Sequence, residues 1–186
     1  MSDEAITGFV LAGGQATRMG TDKAALPWGE GTLAEHITNL LSAVAEPVRI
    51  VGRDPLPDIE PGCGPLEGIR TALRTTTTKH NLITAVDLPF LDPQFLNYLA
   101  TRLRATSSDL VLCRIQGYVA ISLGAHRALL GQVEDYLASG HRSIQGFAAS
   151  VEHEEISEDE LQRAGFGAEI FRNINTPEDY KRERDA

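Results

Sequence analysis

The chain predicts an α/β fold: a mainly parallel sheet covered by helices on both faces, a Rossmann-like three-layer sandwich. Three observations carry that expectation. Short apolar runs alternate with longer segments whose apolar residues recur at helical spacing, as in successive strand–helix units. The first apolar run opens directly into a glycine pair, a way in which strands of such sheets end at a ligand. The 186 residues, 42% hydrophobic and 6% aromatic, suffice for one substantial core, so residues 1–186 read as a single domain.

Each element has its own local reason. Ile6, Phe9, Val10 and Leu11 read as a buried first strand running into Gly13 and Gly14. Thr32 and Glu35 make a Thr-x-x-Glu capping box, and Leu33, Ile37, Leu40, Leu41 and Val44 fall on one face of the helix it opens. Val48–Val51 is a short second strand, and Asp54–Gly64, rich in proline and glycine, is a loop. Pro65 stands near a helix start whose apolar face is Leu66, Ile69, Ala72 and Leu73. Thr75–Thr78 reads as a helix end and turn.

Leu82–Val86 is a fully buried strand ending at Asp87. Asp92-Pro93 opens a helix carrying Phe95, Leu96, Leu99 and Leu103. Leu110–Cys113 and Tyr118–Leu123 read as strands, and residues 125–138 as a helix. Val151–Ile156 is a weak strand candidate, followed by a short helix at 158–164. Phe171–Asn175 is expected as the last strand, and Thr176 as N-cap with Pro177 at N1 starts the final helix.

The bulk properties exclude several functions. A net charge of −9 argues against a general nucleic-acid binder, which needs a basic face to displace counterions, and against anionic membrane surfaces. No run of eighteen apolar residues and no secretory leader is visible, so a cytoplasmic enzyme is expected. Cys63 and Cys113 lie far apart without partners at metal spacing and read as reduced thiols.

The first loop carries the chemistry. Leu11-Ala12-Gly13-Gly14 lets the main chain approach a ligand closely, and Arg18 and Lys23 supply cations to an anion cradled by the exposed N–H groups. A nucleotide phosphate chain is the natural ligand. The kinase-type phosphate loop and the dinucleotide fingerprint are both absent, the second because Gly13, Gly14 and Gly20 are wrongly spaced. Asp87 also follows a strand, so both motifs can converge on one crevice at the carboxyl edge of the sheet. A carboxylate there suits Mg²⁺ beside a triphosphate, or simply caps the turn before Pro89.

These residues resemble a known family. Leu11-Ala12-Gly13-Gly14, Arg18-Met19-Gly20, Asp22-Lys23, Gly64-Pro65-Leu66-x-Gly68, Asp87-x-Pro89 and Asn173-x-Asn175-Thr176-Pro177-Glu178 are similar, in order, to the molybdenum cofactor guanylyltransferases. The resemblance implies the nucleotide-diphospho-sugar-transferase type of sandwich, with Asp87 as metal ligand and Asp58 as the acidic contact to the nucleoside. It implies Mg²⁺-dependent transfer of GMP from GTP to the phosphate of molybdopterin or Mo-molybdopterin, with pyrophosphate released and molybdoenzyme-assembly proteins as partners. Arg18, Lys23 and Mg²⁺ are then the groups that neutralise the leaving pyrophosphate.

Other residues carry two readings each. Gly64 and Pro65 bring a helix N-terminus to the base or ribose, or merely pack that helix on the sheet. Asn173 and Asn175 position the acceptor or a metal-bound water, or cap a strand end. Gly140-His141-Arg142-Ser143 is similar to a basic segment that meets an anionic pterin in the family, so Arg142 joins the acceptor candidates; a helix-end cation is the alternative. The segment 117–122 lacks the proline usual in relatives. Competing functions are a CTP-dependent molybdopterin cytidylyltransferase, a sugar-phosphate nucleotidyltransferase and a non-catalytic cofactor carrier.

Overall fold

A computed structural model describes residues 5–13 and 22–184. Nine strands and seven α-helices occur among them: β1 (Ile6–Leu11), β2 (Pro27–Trp28), β3 (Gly31–Thr32), α1 (Leu33–Ser42), β4 (Val48–Val51), α2 (Pro65–Thr75), β5 (His80–Ala85), α3 (Pro93–Ala105), β6 (Leu110–Ile115), β7 (Tyr118–Val119), β8 (Ser122–His126), α4 (Leu130–Ala138), α5 (Ile144–Ser150), β9 (Glu154–Ile156), α6 (Glu158–Arg163) and α7 (Pro177–Arg184).

The main sheet has the order β4-β1-β5-β8-β6-β7, with β9 also paired to β6. From the pairings, β4, β1, β5, β6 and β9 run one way, and β7 and β8 run against them. The mainly parallel sheet is therefore present, with a hairpin set into it.

Strand alternation sorts the core into two layers. Ile6 and Val10 face α1, α3 and α6, whereas Phe9 and Leu11 face α2, α4 and α5. The caps read from the sequence are formed. Thr32 Oγ1 accepts from Glu35 N–H at 3.2 Å while Glu35 Oε2 accepts from Thr32 N–H at 2.8 Å. Asp92 Oδ1 accepts from Gln94 N–H at 2.6 Å, and Thr176 Oγ1 from Asp179 N–H at 3.1 Å.

Four local expectations need correction. Phe171–Asn175 is not a strand: Ala168–Phe171 is a 3₁₀ turn and the chain then runs without sheet pairing. Phe171 and Ile174 are the buried residues there, a spacing of three that a strand cannot place on one face. Residues 125 and 126 end β8 instead of opening a helix, because His126 N–H pairs with Asp109 O at 2.8 Å; a 3₁₀ turn at Arg127–Leu129 precedes α4. The 118–123 strand is interrupted at Ala120–Ile121. Finally, α5 was not expected. Its signals are Ser143 Oγ accepting from Gly146 N–H at 3.2 Å and the helical spacing of Ile144, Phe147 and Ala148.

Candidate active site

The parallel pairing brings the carboxyl ends of β4, β1 and β5 level with one another. Ala12 N–H donates to Val51 O at 2.8 Å, and Val86 N–H donates to Leu11 O at 3.0 Å. Just past β4, Gly52 takes φ +92° and packs directly on Gly13; a Cβ at Gly52 would overlap the Cα and N of Gly13. On its other side Gly13 faces Asp58, whose carboxylate would collide with any Cβ placed there. Gly13 is itself exposed, so its backbone is open to a ligand. Gly14 and Arg18, both expected in the phosphate site, lie outside the described residues.

Lys23 begins a 3₁₀ turn capped by Asp22, which accepts from Ala24 N–H at 3.1 Å. Arg53, two residues beyond β4, donates to both oxygens of Asp22 at 2.6 Å and so ties the far end of the glycine loop to the sheet edge. Lys23 Nζ donates to Asn175 Oδ1 at 2.9 Å and stands 3.4 Å from Asp87 Oδ2. Ile174 N–H donates to Asp87 O at 2.9 Å, which draws the segment bearing Asn175 across the end of β5. Burial pushes the Asp87 carboxyl above its usual range, and the Lys23 ammonium pulls it part of the way back. Three sequence blocks separated by 64 and 152 residues thus meet at one point.

A second group of charges lines the loop before α2. Glu67, in the first turn of α2, is completely buried. Its Oε1 accepts from Arg70 Nε at 3.1 Å, Arg70 Nη2 at 2.8 Å and Glu60 N–H at 3.0 Å. Burial first, and then the Glu67 charge, push the Asp58 carboxyl above its usual range, toward the protonated form. Gly64 holds φ +81° at the N-cap of α2, and Pro65 occupies N1 as expected.

Arg142 lies on this side. It donates to Leu137 O at 2.6 Å and His141 O at 2.8 Å, closing the end of α4, and its Nη2 is 3.8 Å from Glu60 Oε2. Of the acceptor candidates, Asn175 therefore sits at Lys23 and Asp87, Asn173 is exposed two residues before it, and Arg142 stands by the Asp58 loop. Sequence reasoning missed Arg53 and Glu67. The only local trace of Glu67 is its place inside Gly64-Pro65-Leu66-x-Gly68, where an acidic residue gives no sign of burial.

No group of three or more His, Cys, Asp or Glu that could hold a metal occurs among the described residues. The donor set at β5 is a single carboxylate, Asp87, which suits a hard cation that keeps waters and takes its other ligands from phosphate oxygens. It does not suit zinc. Cys113 is buried, and burial pushes its thiol up to about 12, so it is not a nucleophile. Among the described residues no helix is long and apolar enough to cross a membrane.

Comparison with known proteins shows the family and the fold. The probable molybdenum cofactor guanylyltransferase of Carboxydothermus hydrogenoformans is 33% identical over 95% of this chain and 94% of its own length. That of Deinococcus radiodurans is 31% identical over 94% and 91%. Molybdopterin-guanine dinucleotide biosynthesis protein A from Archaeoglobus fulgidus superposes with a TM-score of 0.75 at 22% identity, covering 96% of this chain and 97% of that one, which supports the same fold. The profile of the MobA-like NTP transferase domain matches residues 8–156, from β1 and its glycine loop through Asp87 to the last strand of the sheet. The chain belongs to that family and is a nucleotidyltransferase of the molybdenum cofactor guanylyltransferase type.

Proposed function

We propose that the chain transfers GMP from GTP to the terminal phosphate of molybdopterin, carrying its molybdenum or not, in a Mg²⁺-dependent reaction. One observation carries the reading: Lys23, Asp87 and Asn175 converge at the end of β5, beside the exposed Gly13 backbone. A phosphate oxygen of the acceptor attacks the α-phosphorus of the nucleotide, the bond from that phosphorus to the bridging oxygen breaks, and pyrophosphate leaves. A phosphate monoester is already anionic near neutral pH, so no strong general base is required. The protein must instead align two anions and neutralise charge on the leaving group.

Asp87 would hold Mg²⁺, which when bound offsets phosphate charge. Lys23 is poised between Asp87 and Asn175 and is free to exchange either contact for a phosphate oxygen. The Gly13 backbone lets the nucleotide lie flat on the strand end. Asp58, an acceptor-only group when ionised, matches the two donors on the guanine edge, N1–H and the N2 amine, better than the single amine of cytosine. The guanylyltransferase names of the relatives support the same base.

The experiment is incubation with each nucleoside triphosphate, Mg²⁺ and Mo-molybdopterin. Pyrophosphate release with GTP, and a guanine dinucleotide product, are expected. Turnover with CTP in its place would reassign the base, and no turnover with any nucleotide would sink the reading.

A further inference from the structure

The most exposed large hydrophobic side chain among the described residues is Tyr118, at 70%. Single exposed aromatics are ordinary, but this one has a fixed backbone and a particular address. Gln116 and Gly117 take φ +50° and +83°, the signature of a two-residue type I′ turn joining β6 to β7. The neighbouring Val119 is buried, and the Gln145 side chain accepts from its N–H at 3.0 Å and donates to its carbonyl at 3.5 Å. On the other side of the turn Gln116 N–H donates to Glu158. The hairpin tip is clamped at both flanks, while its ring stands in solvent.

Topology puts that ring at the active edge. β6 runs in the same direction as β5, so the turn after β6 projects from the same edge as Asp87. Ala85 N–H donates to Ile121 O at 2.7 Å. Tyr118 is three residues from Ile121 and Asp87 two from Ala85, so at about 3.5 Å per residue and about 5 Å across the strand pair their Cα atoms stay within about 23 Å of each other. Side chains alternate along a strand. Val119 packs in the α2–α4–α5 layer, so Tyr118 stands on the opposite face beside its cross-strand partner Ile115. That is the face where Ile174 is buried and the segment bearing Asn173 and Asn175 passes the end of β5. The ring and the Lys23–Asn175–Asp87 group therefore lie along one edge of the sheet, on the same face.

We propose that Tyr118 is a specificity-determining residue for the acceptor: its ring stacks on the planar pterin while the acceptor phosphate reaches toward Asp87. This rests on the molybdopterin acceptor proposed above. A tyrosine on a clamped backbone has only its two side-chain torsions to lose on stacking, and a heteroaromatic face covers apolar surface that a sugar phosphate could not.

The test is steady-state kinetics with GTP, Mg²⁺ and Mo-molybdopterin. Tyr118→Ala should raise the KM for Mo-molybdopterin about 10- to 100-fold and leave the KM for GTP within about twofold, the range expected when one stacking partner is lost. Tyr118→Phe keeps the ring and should restore the acceptor KM. A Tyr118→Ala enzyme with an unchanged acceptor KM, beside an active wild type, overturns the stacking role and leaves the proposed reaction standing. A wild type inactive with every nucleotide overturns the reaction and this inference with it.

Discussion

Gly52→Ala is expected to be among the costliest single-methyl additions at the described glycines. At φ +92° an alanine is strained by about 1–2 kcal/mol. The new Cβ also overlaps the Cα and N of Gly13 and lies 3.2 Å from the carbonyl carbon of Ala12. Relief requires the ends of β4 and β1 to part, which sacrifices the 2.8 Å bond from Ala12 N–H to Val51 O, about 1 kcal/mol more. The total is about 2–3 kcal/mol, a fall in Tm of about 4–12 °C for a chain of this size. Gly117→Ala is the control: its φ is also positive, at +83°, but nothing lies within 4 Å of the added methyl. It should lose only the strain, about 1–2 kcal/mol or about 2–8 °C, so the pair should differ by the cost of the close packing alone. Calorimetric unfolding of both variants decides the matter. If the two unfold within about 1 °C of each other, close packing of Gly52 on Gly13 is not what holds the nucleotide edge together.

Asp87→Asn should lower turnover by about 10²–10³-fold while raising Tm at neutral pH. The sign follows from burial: the folded-state carboxyl titrates above its unfolded value, so its contribution is full below the unfolded pKa and is lost as pH rises through the folded one. The Tm advantage of asparagine should therefore grow across the carboxylate range, and an advantage at acid pH alone would contradict it. Lys23→Met removes the charged partner of both Asn175 and Asp87 and should weaken nucleotide binding about 10- to 100-fold by titration calorimetry, at about 1.5–3 kcal/mol per charge-assisted bond. Phe95→Ala empties a site that is fully buried and meets Phe171 edge-on at 4.9 Å between centroids. It should cost about 3–5 kcal/mol in denaturant unfolding, with kcat preserved below the new midpoint.

The legible parts of this molecule were those decided by near neighbours in the chain. Thr32 with Glu35, Asp92 with Gln94 and Thr176 with Asp179 each close a bond across two or three residues, so the sequence alone places the starts of α1, α3 and α7. Continuous apolar runs likewise marked β1 and β5, which are buried on both faces, and a period-3.6 apolar pattern marked α2, because burial imposes a local constraint on residue type. The same logic failed at Phe171–Asn175, where a turn buries residues three apart and imitates no regular period.

The sequence by itself determined the layered α/β architecture, the glycine loop after β1 and the acid after β5. What brings Lys23 to Asn175 and Asp87, Gly52 onto Gly13 and Tyr118 to the active edge was decided only by the order and direction of strands in the sheet. Those pairings span 39 to 152 residues of the chain, or depend on β6 running with β5 while β8 runs against it. Local spacing carries no record of them, because strand order follows from which buried faces fit against which helices across the whole core.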